Sequence, residues 1–413
     1  MSQFDLVVFG ASGYTGQFVV EELARRVSGS LTWAVAGRNR AKLEAVLAEA
    51  SKHVGRDVSE EAGVIVADVK DTASLEQMCS MSKVLLSCVG PYRFFGPPVV
   101  EACIANKCHY VDICGETEIL ERIEEKYHAQ AEKAGVHIIQ TCGFDSIPAD
   151  LGMLFTIQNF PGVITQAESF HAFKTGPSGS SVHTGTWESL IYSLANDSEL
   201  RKKRTHKAAF QWQGPKLKKR GNVFKAKETG HWCIPFLGSD VAVVRRSQRA
   251  RQTAGQHPVQ YGCYFNPGSL MACIMMYIWG LFIYLVTRTM WGVRFAASHP
   301  GLLSLGFFSE DGASRKQLSE ATFSTTFYAK GFTDKSLVSS GGKPNASVTT
   351  RISGPEPGYI ACSIMLVQCA LCLLRGDLPH RGGVLTPAVA FTGTDVIPEI
   401  NKAGVKFSVL ESS

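Results

Sequence analysis

Between Arg201 and Lys227 the chain carries no acidic residue, and between Gly268 and Thr287 it carries no charge of either sign. Paired cysteine motifs are missing as well: the twelve cysteines are scattered, and the one CxxC, Cys369 to Cys372, stands alone in an apolar helical run. A single pair without a second argues against a four-ligand zinc site, and scattered cysteines read as free thiols of a reducing compartment. No basic n-region or small-residue cleavage site precedes the first apolar run, so no signal peptide is expected, and the sequons at Asn196 and Asn345 then carry no meaning. The GxGxxG fingerprint is absent too. In its place stands GxxGxxG, at Gly10, Gly13 and Gly16.

That triplet sits between an apolar, β-branched run at 5–9 and a segment of helical periodicity at 17–26. A buried parallel strand followed by a helix leaves a tight turn whose backbone N–H groups suit a phosphate. Gly10 would make the turn, Gly13 would let the backbone approach a pyrophosphate, and Gly16 would pack the helix on the sheet. Ala11, Ser12, Tyr14 and Thr15 complete the loop; a plain βα turn is the alternative. The second strand, 31–36, ends in Gly37-Arg38-Asn39-Arg40, without the Asp or Glu that binds a ribose 2′-hydroxyl. Arg38, with help from Arg40, offers a guanidinium to a 2′-phosphate, so NADP is expected rather than NAD. Lys42 reads as a solvated helix start. Asp68 closes a third strand, 63–68, where an adenine or ribose edge would be met.

Strands at 83–90, 108–112 and 136–140, each preceded by a helical segment, continue the alternation. The fold expected is α/β, a Rossmann-type doubly wound parallel sheet with ligands at the carboxyl ends of its strands. With 413 residues, 45% of them hydrophobic, two domains are the natural count.

The strand ends are distinctive: CVGPYRFFGPP at 88–98, DICGE at 112–116 and CGFDSIPADLG at 142–152. Together with GASGYTG and AGRNR, and with WESLIYSLA, IPFLGSDVAVVRRSQR and GGVLTPAVAF further on, this set resembles the saccharopine dehydrogenase superfamily over nearly the whole chain. The resemblance implies a Rossmann domain at 1–150 and an α+β substrate or dimerisation domain at 151–354, within which composition marks a basic loop, 201–227, and an apolar insert, 268–308. A C-terminal segment, 355–413, would return to the first domain. It also implies hydride transfer between a nicotinamide and a C–N or carbonyl bond. The loop Cys88, Val89, Gly90 and Pro91 would lie beside the nicotinamide, and Tyr92, Asp112 and Asp145 are the candidate catalytic residues, placed to orient a protonated imine or move its proton. Each has a plain structural reading beside this one: Tyr92 packs, Asp112 holds a turn, Asp145 caps the next helix.

The charge is uneven. The segment 201–227 holds eleven of the 42 Lys and Arg residues, which leaves 31 against 36 acids elsewhere. No nucleic-acid-binding fold surrounds it, so no nucleic acid is expected. Its partner would be an anionic membrane surface, or it is a solvated loop. The uncharged twenty residues that follow at 268–287 match a bilayer span in length. A basic turn and a second apolar patch at 302–308 make a one-leaflet anchor the favoured reading, on the cytosolic face of a membrane or on a lipid droplet, with a lipid-linked or other small-molecule substrate. The alternative is a helix buried in a homodimer interface. Two further function classes stay open: a semialdehyde dehydrogenase using Cys142 as nucleophile, and a non-catalytic NADP-binding scaffold.

Overall fold

The computed structural model describes residues 2–412 apart from 28, 30, 145, 196–208 and 339–341. It divides into two compact units, Met1–Phe144 with Pro357–Gly404, and Asp145–Glu356 with Val405–Ser413. The C-terminal segment is thus shared: 357–404 belongs to the first unit, and the last strand to the second.

In the first unit the apolar runs become β1 (Phe4–Phe9), β2 (Trp33–Gly37), β3 (Ala62–Val66), β4 (Ser82–Ser87), β5 (His109–Asp112) and β6 (His137–Ile139), separated by helices α1 (Tyr14–Arg26), α2 (Arg40–Val54), α3 (Thr72–Ser80), α4 (Tyr92–Ala105) and α5 (Thr117–Ala134). The sheet order is 3-2-1-4-5-6, with Gly383–Leu385 added in parallel beside β6. Every pairing is parallel. Helices on both faces bury the strands from both sides, which is why Leu6, Val7 and Val8 run on without a polar break and are all buried. Local chemistry fixes the helix ends: the Asn39 Oδ1 accepts the Lys42 N–H at 3.0 Å to cap α2, and Asp71 caps α3 through the Ala73 N–H at 3.1 Å. The long apolar segment Pro357–Arg375 is a mostly buried helix of this unit, and Tyr359 at its start packs edge-on against Tyr14, ring centroids 4.7 Å apart.

The second unit is built on a seven-stranded mixed sheet, in the order Lys406–Ser412, Ala346–Pro355, Thr322–Phe332, Val163–Lys174, Gln260–Asn266, Trp232–Pro235, Phe224–Lys225. Its centre is antiparallel, Thr322–Phe332 pairing with both neighbours. The helix Ile147–Gln158 lies close on it: a Cβ at Gly152 would come within 2.7 Å of the Phe327 ring. The uncharged run folds as a 17-residue helix, Leu270–Val286, followed by the helices Met290–Ser298 and Pro300–Leu303. Together with Thr184–Ala195 they enclose a small core of Trp187, Ile191, Ile283, Val293, Ala296 and Phe308. The indole N–H of Trp187 donates to the Ala296 carbonyl at 2.7 Å, and that of Trp279 to Leu303 at 2.8 Å.

One face of Leu270–Val286 is left uncovered. Met271, Ile274, Met275, Ile278, Phe282 and Leu285 recur at three- and four-residue steps and are all exposed, Ile278 to 65%. Trp291 and Leu305 nearby in sequence are exposed to 75% and 92%. At 1.5 Å per residue the helix is about 26 Å long, against a hydrocarbon core of about 30 Å. Of the basic segment, residues 201–208 lie outside the described ones. Lys216, Lys218, Lys219, Lys225 and Lys227 are exposed, whereas Arg220 is an internal strut, paired with Glu168 at 2.5 Å and Glu228 at 2.7 Å.

Candidate cofactor and active site

At the carboxyl ends of β1, β2, β3 and β4 the first unit holds a cavity of about 630 Å³. It opens where the strand order switches sides, between β1 and β4, the place where parallel α/β sheets bind nucleotides. Its floor is the glycine turn. Gly10 sits at φ 82° with its N–H given to Ala36 at 2.9 Å; a Cβ there would lie 2.8 Å from a Val89 methyl. Position 10 therefore needs glycine for its conformation and for its space. Gly13 precedes α1, and no side chain caps that helix, so the first-turn N–H groups, which have no acceptor within the helix, face outward. Gly16 does different work: a Cβ would stand 2.2 Å from the Gly10 carbonyl oxygen, so it seats α1 against the turn.

Of the expected cofactor residues, Gly10, Ser12, Gly13, Arg38, Asp68, Cys88, Val89 and Gly90 line the cavity. Ala11, Tyr14, Thr15, Gly16 and Pro91 do not. Ala11 is buried and its N–H goes to Ala36 at 3.3 Å, and Tyr14 turns toward Phe18 and Tyr359. Arg40 does not reach the cavity either: its guanidinium meets Glu44 at 3.7 Å and the Val64 carbonyl at 3.4 Å. The cations that stand with Arg38 are Lys42 and Lys70. The Asn39 cap places Lys42 in the first turn of α2, and Asp68 accepts the Lys70 N–H at 3.0 Å, folding the chain after β3 so that Lys70 borders the cavity. Lys42 is exposed, as a solvated helix start should be, and it borders the cavity as well.

The candidate catalytic residues are held by other bonds. Asp112 is 1% exposed; its Oδ1 accepts the N–H groups of Cys114 at 3.0 Å and Thr141 at 2.7 Å, and its Oδ2 accepts the Tyr110 hydroxyl at 2.9 Å. That carboxylate braces the ends of β5 and β6. Tyr92 is buried; its hydroxyl donates to the Ser87 carbonyl at 2.8 Å, and its N–H goes to Glu116 at 2.8 Å. Burial, then the nearby Asp112, pushes its phenol well above the usual range, so it is a poor acid. Tyr92→Phe is expected to cost about 1 kcal/mol of stability and to leave cofactor affinity unchanged, read by thermal melts and a cofactor titration. Asp145 lies outside the described residues. Cys142 is fully buried and burial raises its thiol well above the ordinary value, which removes the thiolate that a semialdehyde dehydrogenase needs.

A glycine turn, an uncapped helix start and three cations around one cavity fit a dinucleotide carrying a 2′-phosphate. Comparison with known proteins agrees. The saccharopine dehydrogenase NADP binding domain matches residues 6–139. The saccharopine dehydrogenase-like oxidoreductase of Mus musculus is 44% identical over 99% of this chain and 98% of its own. The chain belongs to the saccharopine dehydrogenase-like oxidoreductase family. A Caenorhabditis elegans protein named lipid droplet localized protein is 36% identical to this family member over 99% of both chains. Among solved structures, the apo saccharopine dehydrogenase (L-Glu forming) of Saccharomyces cerevisiae superposes with a TM-score of 0.55 at 16% identity, covering 99% of this chain and 100% of that one, a likeness of fold. The cofactor of this family member is NADP, bound by the first unit.

Proposed function

We propose that this family member transfers hydride between NADP(H) and a C–N or carbonyl bond of a small or lipid-linked substrate, and that it works at a lipid droplet or cytosolic membrane surface. The observation that carries the reading is the cavity at the strand ends, with Gly10 and Gly13 on its floor and Arg38, Lys42 and Lys70 at its rim. When bound, NADPH supplies the hydride. The chain's part is to hold the pyrophosphate on the turn before α1 and the 2′-phosphate among the three cations. A C–N substrate suits the site better than a carbonyl: an iminium brings its own proton, and Tyr92 and Asp112 are both committed to other bonds.

Replacing Lys42 and Lys70 together by Ala is expected to weaken NADPH binding by about tenfold or more, since each charge-assisted bond to a phosphate adds to affinity. NADH affinity should stay as it was, and the salt dependence of NADPH binding should flatten. Calorimetry at two ionic strengths checks all three.

The surface reading is supported by the uncovered apolar face of Leu270–Val286, by Trp291 and Leu305, and by the exposed lysines of 216–227. A helix about 26 Å long, fixed on one side to Trp187 and its neighbours, suits lying in an interface better than spanning a bilayer. The test of function is NADPH oxidation by protein bound to phospholipid-coated oil droplets, offered amphiphilic amines together with aldehydes or keto acids. Turnover that requires both components supports the reading. NADPH binding without turnover across the panel supports a non-catalytic NADP-binding protein at the same surface, a reading that the committed Tyr92 and Asp112 favour.

A further inference from the structure

Away from the cofactor cavity, the first unit gathers three thiols in one place. Cys79 comes from α3, Cys103 from α4, and Cys108 from the turn that leads into β5. Their Sγ atoms lie within 4.8 Å of one another, Cys79 and Cys103 at 3.7 Å, and all three residues are fully buried. The backbone is shaped to bring them together. Lys107 adopts the left-handed region at φ 55°, and the Cys108 N–H then donates to the Cys103 carbonyl at 2.9 Å, which folds the second thiol back beside the first. Burial explains one cysteine as a small apolar residue. It does not explain three sulfurs, from separate elements, turned toward each other.

We propose that Cys79, Cys103 and Cys108 form a three-coordinate site for a soft monovalent cation, copper(I). Metal–sulfur bonds of about 2.3 Å in a trigonal arrangement set sulfur–sulfur distances of about 4.0 Å, inside the observed triangle. Zinc asks for a fourth ligand, from protein or water; among the described residues the triangle has three, and its burial keeps water out. Thiolate ligands select copper(I) over harder cations. Binding is a ligand exchange: copper leaves its chelator as three copper–sulfur bonds form, it stays in its +1 state, and the protons of the three thiols pass to solvent.

The full-length protein, reduced and kept free of oxygen, would be titrated with copper(I) held by the chromophoric chelator bicinchoninate. The expected result is one equivalent withdrawn per chain, with thiolate-to-copper absorption in the near ultraviolet. Cys79→Ala, Cys103→Ala and Cys108→Ala should each weaken uptake by tenfold or more while NADPH binding persists, which shows that the unit still folds. X-ray absorption on the loaded native protein, which needs no variant, should count three sulfur neighbours. No withdrawal from the chelator, uptake unchanged in all three variants, or nitrogen and oxygen neighbours would overturn the proposal.

Discussion

Gly13→Val is expected to abolish NADPH binding, by a hundredfold or more, while leaving the protein folded. The contrast with Gly16→Val makes the expectation specific. Gly13 has an ordinary extended backbone, φ −74° and ψ 161°, and an added Cβ meets one neighbour there, the Gly10 oxygen at 3.2 Å. A small adjustment admits the side chain, which then fills the floor of the cavity against which a pyrophosphate must close. At Gly16 the added Cβ would overlap the Gly10 oxygen at 2.2 Å and press on Ala11. That substitution should cost about 3 kcal/mol or more of stability through overpacking. Binding loss with an unchanged melting temperature for Gly13→Val, and a lowered melting temperature for Gly16→Val, is the pattern sought. Comparable melting losses in both would mean that Gly13 acts through the fold and not through the cofactor.

The triple substitution Ile278→Glu, Leu285→Glu and Trp291→Glu should release the protein from droplets and membranes. All three side chains are exposed, so the fold loses little, yet each large apolar group that enters lipid contributes about 1.5–3 kcal/mol. Removing three should shift partitioning by on the order of a thousandfold. Deleting 268–308 is a poorer experiment, because it takes Ile283, Val293, Ala296 and Phe308 out of the core around Trp187. Flotation of the native and triply substituted proteins with droplets gives the answer, and NADPH affinity, set by a cavity in the first unit, should be the same for both. Undiminished flotation of the variant, or native protein found in the mitochondrial fraction, would contradict the droplet assignment.

The cofactor turn was legible because it is local: a strand, three glycines and a helix are consecutive, although the Val89 methyl that crowds Gly10 comes from far along the chain. Arg38 was legible for the same reason, as the position after β2 that an acid fills in NAD-specific folds. Lys42 and Lys70 were not, since a lysine in a first helical turn and another after β3 look like solvent-facing residues until the sheet brings α2 and the β3 loop to one rim. At Asp112 the sequence left two readings side by side, because a carboxylate at a strand end reads the same whether it faces a cleft or braces a turn. A signal was present in Tyr110: two residues apart on a strand, the two side chains share a face, and the hydroxyl at 2.9 Å is the outcome. The helix Leu270–Val286 hid its two sides for a compositional reason. It is apolar all round, so no polar stripe marks the face that Trp187 and its neighbours leave bare.

Calorimetric titration of the purified protein with NADPH and with NADH tests the account most directly. The cavity, with Arg38, Lys42 and Lys70 at its rim, predicts NADPH binding tighter than NADH by about tenfold or more at low salt, the advantage shrinking as ionic strength rises. Equal affinities, or no heat from either, would contradict the reading of that rim as a 2′-phosphate site.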